Sequence, residues 1–321
     1  MGSKPNAWIV SGALVLAAAA PSRAGAQSVF ETIYTDLSHG VGDVFAVWTS
    51  PFRGDGRDYR TAAMVLGGVG VLALYDDEIG AWIRGNPEVA PMVALEPFRE
   101  EHRLRLIDLG AGKSLLQLSG GLYLLGLVTG NASIRDAAVG CTASEKSNGL
   151  LRHYLYKAVS RERPLVLERN GEETIERPGD PYDIRMPGDD EDWYDNSFFG
   201  GHGANIMACA SFFNHRFDLG LAEPVIWAVA TGVNLGRMAD QRHWSSDAAI
   251  GIIVGFAMGK YVAERSQARA DARAVDANGE ADGRRGAGEA REPSALDALL
   301  RGLFVTRARD GGAVVGWRGR F

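Results

Sequence analysis

Cysteine is nearly absent: Cys141 and Cys209 are the only two in 321 residues. Two thiols build neither a zinc cluster nor a disulfide framework. Basic charge is in deficit, with 34 Lys and Arg against 40 Asp and Glu, so nucleic acid is a poor partner for this surface. Strand alternation is scarce, and long uncharged runs are few. Segment 114–134 is 21 residues long, whereas 248–259 has 12 and 204–214 has 11; a bilayer takes about 18 or more. With a slightly negative mean hydropathy, the chain is not made mostly of membrane helices. Only 114–134 has spanning length. Apolar residues at 46% and charged residues at 23% exclude fibrous, collagenous and wholly disordered chains.

What is present begins with an export pattern. Lys4 precedes an uncharged 14-residue stretch at 7–20, and Ala24-Gly25-Ala26 supplies small residues for processing before Gln27. Fourteen residues fall short of the ~20 of a membrane anchor. Residues 1–26 are therefore expected to be a secretory signal, and the rest exported to the periplasm or envelope. Without Lys4 and Arg23, 32 basic residues face 40 acidic ones, a net charge of minus eight over 295 residues. Outside the cytoplasm Cys141 and Cys209 either pair or stay as two separate buried thiols; separate thiols are the favoured expectation.

Residues 28–60 read as mixed, with turn signals at Ser50-Pro51 and Gly54-Asp55-Gly56. Six helical segments follow at 62–75, 104–129, 134–159 (broken near Ser144), 204–213, 223–235 and 246–263. Small residues such as Gly67, Gly68, Gly120, Gly121, Gly232, Gly251 and Gly255 suit close helix contact. An all-α bundle over residues 27–265 is expected. Segment 165–196 reads as a long solvated loop with eleven acids against three arginines. Its acids at 189–195 do not have EF-hand spacing. It joins two of the motifs below, so it is expected to cover their pocket with Trp193, Tyr194, Phe198 or Phe199. Residues 266–295 contain nine alanines, one valine and no Leu, Ile or Phe, the composition of a disordered linker. In 296–321, two apolar stretches flank Asp310-Gly311-Gly312, a hairpin signal.

Three short segments carry chemistry. They are Lys157 to Pro164 with Arg161 and Arg163, then Ser197-Phe198-Phe199-Gly200-Gly201-His202, then Gly236-Arg237 followed by His243 and Asp247. Each alone has a bland reading: a solvated helix end, a helix cap, a surface His–Asp pair. Together they form an anion site. Lys157, Arg163 and Arg237 are fixed cations, and the arginine fork matches phosphate. Gly200 and Gly201 let backbone N–H groups approach an anion at a helix N-terminus. His243 reads as a nucleophile or base held in one tautomer by Asp247, and His202 as a proton donor to a leaving oxygen. This inventory suits phosphoryl transfer without a metal ion.

At these residues the chain resembles the type 2 phosphatidic acid phosphatase and vanadium haloperoxidase superfamily. That pattern is Lys, six residues, Arg-Pro; then Pro-Ser-Gly-His; then Ser-Arg, five residues, His, three residues, Asp. Order and third-motif spacing match, over about residues 60–265. Three departures stand out. Tyr156 occupies the lysine position and Lys157 comes one residue later, about 100° around a helix. Phe199 and Gly200 replace Pro and Ser, and Gly236 replaces Ser. Losing one donor to a transition-state oxyanion costs roughly 2.7–4 kcal/mol.

The resemblance implies a six-helix bundle with the C-terminal hairpin as a tail, and an exported, metal-independent phosphatase with no cofactor. His243 would form a phosphohistidine, Asp247 would orient it, and His202 would serve as acid and then base. Lys157, Arg163, Arg237 and the Gly200 and Gly201 amides would hold the phosphoryl group of a small ester or a lipid phosphate, with membrane contact possible. Alternatives sharing the signature are a haloperoxidase with vanadate on His243, and a phosphate-binding relative without catalysis.

Overall fold

The computed structural model describes residues 23–86, 106–170, 173–185, 196–277, 303–307 and 313–317. Among them are eight α-helices: α1 Arg23–Thr49, α2 Gly56–Ala73, α3 Asp76–Gly85, α4 Gly112–Thr129, α5 Ala132–Ala158, α6 Gly201–Arg216, α7 Ala222–Ala239 and α8 Ser245–Ala277. Their local causes are legible. Asp55 caps α2 in a reciprocal box with Asp58. Gly130, at φ 69°, ends α4, and the Asn131 side chain caps α5.

The fold is all-α, as expected, with small strand pairs added. The region 28–60 is helical rather than mixed up to Thr49, and α1 runs through Gln27, the expected processing point. A 3₁₀ turn at Ser50–Arg53 follows, containing the anticipated Pro51. α3 was not anticipated. α5 is continuous through Ser144, whose buried hydroxyl donates to the Gly140 carbonyl within the helix. Segment 114–134 is not one span, because Gly130 and Asn131 divide it between α4 and α5. Among the described residues one helical stretch, Ser245–Arg273, is long and apolar enough to cross a membrane, and 67% of its apolar window is buried inside the fold.

α6 is the central helix, packed by α5, α7 and α8. Gly251, Gly255 and Gly259 of α8 lie against the carbonyls of Gly200, Ala204 and Ala208 in turn. A methyl at Gly255 would come within 2.3 Å of the Ala204 oxygen, so α6 and α8 meet backbone to backbone. By contrast, Gly67, Gly68, Gly120 and Gly121 face open space. The two cysteines are bonded to each other, Cα to Cα 4.6 Å, joining α5 to α6 beneath Leu115. The expectation of separate thiols is thereby corrected: residues 68 apart in sequence meet where the two helices cross.

Two further expectations change. The region 165–196 is not plain loop: β2 Leu165–Asn170 pairs antiparallel with β3 Glu173–Pro178, and β1 Ser160–Arg161 with β4 Ile184–Arg185. The linker expected from 266 is helical to Ala277. Charge holds it there: Ser266 is fully buried and donates to Asp136, and Arg265 and Arg269 both bond the buried Asp43 of α1. The rest of that segment lies outside the described residues. At the C-terminus Leu303–Arg307 and Ala313–Trp317 pair in a hairpin, Leu303 opposite Trp317.

Apolar side chains remain exposed on α1, α2 and α4, among them Phe30, Phe45, Met64, Leu66, Leu124 and Val128. Between α1, α4 and α5 lies an apolar groove of about 750 Å³, bordered by Leu37, Val41, Phe45 and Leu116 among others.

Candidate active site

Main-chain bonds knit the three motif segments together. Past the end of α5, the Glu162 carbonyl accepts from Trp244 Nε1 at 2.7 Å and from the Ser197 hydroxyl at 3.0 Å. Ser197 N–H donates to the Arg161 carbonyl at 2.7 Å. α7 ends in a turn in which Gln241 adopts a left-handed φ of 53°, an uncommon conformation for a residue with a Cβ. That turn delivers His243 into the interior just before α8 begins.

His243 is buried, and its Nδ1 lies 2.8 Å from the Ser197 carbonyl. A carbonyl only accepts, so Nδ1 carries the proton and Nε2 keeps the lone pair. Nε2 is buried without a hydrogen-bond partner, and the ring borders a cavity of about 460 Å³. Burial, then Arg237, keep the imidazole well below its usual pKa, hence neutral. Asp247 does not touch His243. It stands in the first turn of α8, where one oxygen accepts the Trp244 N–H at 3.1 Å and the other takes Arg161 at 2.9 Å. Capping the helix and pairing Arg161 therefore occupy the carboxylate. Ser197 lies between the two: its side chain lowers the Asp247 carboxyl, and its main-chain carbonyl holds His243. Burial pushes the Asp247 carboxyl up to about 6 against the opposing pull of Arg161.

The cavity is lined by Gly149, Arg152, His153, Tyr156, Arg163, His202, Arg237 and His243. Of the sequence-derived candidates it thus gathers His243, His202, Arg163 and Arg237. Among the described residues no carboxylate lines it, and no group of His, Cys, Asp and Glu is placed to hold a metal ion. Arg237 Nε is buried without a partner, and burial lowers this guanidinium to about 10. His202, in the first turn of α6, is lowered to about 3 by burial and by Arg237, Arg152 and Arg163. A hollow ringed by cations, with the Arg237 Nε–H unpartnered, is electrostatically suited to an anion.

Four candidates lie elsewhere. Lys157 is exposed and does not border the cavity; α5 stays regular, so the one-residue offset turns it away. Gly200 spends its N–H on the Asp247 carbonyl at 3.2 Å. Gly201 opens α6 against Arg152, whose Cδ would lie 2.7 Å from an added methyl. Asp247 sits behind His243, as described. Phe199, fully buried at a φ of 61°, packs with Ala204 and Ile250, and Phe198 joins the same cluster. Neither covers the mouth; Trp193 and Tyr194 lie outside the described residues.

Sequence reasoning missed Arg152, Gly149 and His153, although 149, 152 and 156 fall on one helical face of α5. It missed a supporting network as well. Arg161 is buried, stacks over Trp244, and bonds Asp76 at 2.7 Å, Asp247 at 2.9 Å and the Pro181 carbonyl at 2.8 Å. Asp76, from α3, also accepts from Ser245, Ser246 and the Ser246 N–H at the start of α8.

Residues 138–270 match the family model described as PAP2 superfamily. No curated protein and no solved structure matches the chain significantly.

Proposed function

Because residues 138–270 form a domain of the PAP2 superfamily, whose function is of phosphatase type, we propose that this chain hydrolyses phosphate monoesters, small or lipid-borne, through a phosphohistidine and without a metal ion. The observation that carries this is His243. Its Nδ1 proton is fixed on Ser197, leaving an unpartnered Nε2 that faces a cavity lined, among the described residues, by three arginines and no acid.

Nε2 attacks phosphorus, the bond to the leaving oxygen breaks, and His202 gives that oxygen its proton. His202 then takes a proton from water, which attacks the phosphohistidine and releases phosphate and free His243. The low proton affinity of His202 comes first from burial and then from the arginines. A bound phosphate dianion opposes the arginine field, the smaller of the two causes, and so raises the proton affinity of His202 towards what its donor role needs. Arg163 and Arg237 hold the phosphoryl oxygens and stabilise the charge that develops on them.

Export belongs to the same reading. It is supported by the export pattern at 1–26 and by the Cys141–Cys209 bond, since disulfides persist in oxidising compartments. The apolar groove and exposed side chains of α1, α2 and α4 support contact with a membrane.

The test is turnover of a panel of phosphate esters and lipid phosphates in EDTA, with acid-quench trapping of phosphohistidine. Wild type should turn over and be inhibited by vanadate, and His243→Ala should neither turn over nor label. Restoration of an EDTA-sensitive activity by magnesium or zinc would overturn the metal-free mechanism. Halide bromination by the vanadate-loaded protein, with no ester hydrolysis, would replace the reading altogether.

A further inference from the structure

The cavity holds a cation that the motif pattern does not contain, and a phenol where the pattern has a lysine. We infer that Arg152 and Tyr156 jointly replace that lysine, Arg152 as the charge on the phosphoryl group and Tyr156 as a neutral hydroxyl donor beside it. The inference rests on the phosphatase reading and names two further residues that touch the substrate.

Three observations carry it. First, Arg152 and Tyr156 stand four residues apart on α5 and both line the cavity, with Gly149 a turn earlier on the same face. The charge thus stands one turn earlier on the same face of the helix. Second, the neighbours make room for it. Gly201 has no side chain at the point where Arg152 Cδ and NH1 pass, 2.7 and 3.0 Å from where a methyl would be, and the guanidinium lies 5.9 Å from the Tyr156 ring centroid. This gives a separate reason for the second glycine of the second motif: it lets Arg152 through. Third, Arg152 acts on the groups in question. Its charge lowers His202, alongside those of Arg237 and Arg163, and reaches Tyr156. Burial raises the Tyr156 phenol above its usual range, so it stays a donor well into alkaline solution. Lys157 is exposed and does not border the cavity.

The consequence is a different kind of anion site. The Tyr156 phenol, raised by burial, keeps its proton where an ordinary lysine begins to lose one. Phosphate affinity should therefore fall at high pH only as Arg237, lowered to about 10 by burial, loses its proton, and a lysine in the site would add a second titrating cation.

The experiment measures orthovanadate and inorganic phosphate binding by calorimetry, and kcat/KM on the best ester. It uses the whole chain carrying Arg152→Ala, Tyr156→Phe, Lys157→Ala or the pair Arg152→Ala with Tyr156→Lys. Arg152→Ala should weaken vanadate binding and kcat/KM by about 100-fold, the scale of one lost oxyanion contact. Tyr156→Phe should cost about 10-fold, the loss of one neutral hydrogen bond of roughly 1.4 kcal/mol. Lys157→Ala should cost less than about 2-fold, the small effect of a surface change. Putting lysine at 156 should restore much of the loss in the Arg152→Ala protein and make the alkaline fall in affinity steeper than in wild type. That rescue distinguishes anion contact from a role in folding. A Lys157→Ala loss as large as that of Arg152→Ala, or unchanged vanadate binding in Arg152→Ala, overturns the assignment. If wild type hydrolyses nothing yet binds vanadate through Arg152, the phosphatase reading fails and this one stands.

Discussion

Removing the Arg161 guanidinium is the most informative perturbation of the fold beneath the site. Arg161→Met keeps the length and packing of the chain but leaves Asp76 and Asp247, both about 1% exposed, without their shared cation. At about 4 Å between charge centres and an effective dielectric near 20, each pair is worth roughly 4 kcal/mol of attraction. Desolvation of the guanidinium, which the substitution relieves, takes back several kcal/mol of that total. The net loss expected is about 3–5 kcal/mol, the usual cost of breaking a buried pair from one side. The loss should depend on pH with a definite sign. Asp247 already sits at about 6, raised by burial against Arg161, and losing the cation moves it higher. A carboxyl raised in the folded state binds a proton that the unfolded chain releases, so the damage should be full at pH 8 and smaller at pH 5. Urea unfolding at both pH values reads this directly. The sharper control is a double-mutant cycle. Asp76→Asn or Asp247→Asn should destabilise the native sequence but stabilise the chain that already carries Arg161→Met. Destabilisation in both backgrounds, or an equal loss at both pH values, would refute the view that these three groups form one charge unit.

The other expectations are briefer. His243→Ala should abolish turnover while retaining the fold, whereas Asp247→Asn should leave vanadate binding within a few fold and lower kcat, read by single-turnover kinetics. His202, lowered to about 3 chiefly by burial, binds a proton in the unfolded chain before it does in the folded one. Stability should therefore fall as pH drops from about 6.5 towards 3, and His202→Asn should remove up to about 5 kcal/mol of that slope in acid-unfolding curves. The Cys141–Cys209 bond closes a loop with a sequence separation of 68, for which chain entropy gives about 4 kcal/mol. The double substitution to serine should lower the urea midpoint accordingly, and dithiothreitol should do the same to wild type.

The legible parts of the sequence were those whose signal is local. The α6 and α8 cores, the C-terminal hairpin and the pair His202 and His243 all announce themselves within a few residues. The hairpin at β2 and β3 was obscured by its acids, although Asn170-Gly171 is a turn dipeptide that favours such pairing. α1 was obscured because many of its apolar residues are exposed, Phe30 and Phe45 among them, which blurs the single buried stripe that marks a helix. Lys157 drew attention by its charge; which face of α5 it occupies depends on a register that one residue decides. Asp76 and Arg161 lie 85 residues apart, and no short-range pattern connects them. The same is true of the helix crossing that brings the cysteines together.

The bare contact between α6 and α8 bears on how this site tolerates change. His202 lies in the first turn of α6 and His243 two residues before α8, so main chain resting on main chain at Gly251, Gly255 and Gly259 helps to set the gap between the two imidazoles. Side chains such as Phe212, Tyr261 and Ile250 fill the rest of the same interface and can give way to a substitution. The main-chain contact cannot, so the vulnerability of the spacing between the two histidines is concentrated at Gly255 and Gly259, where a methyl would come within 2.3 and 2.1 Å of the facing carbonyls and even alanine acts as a wedge.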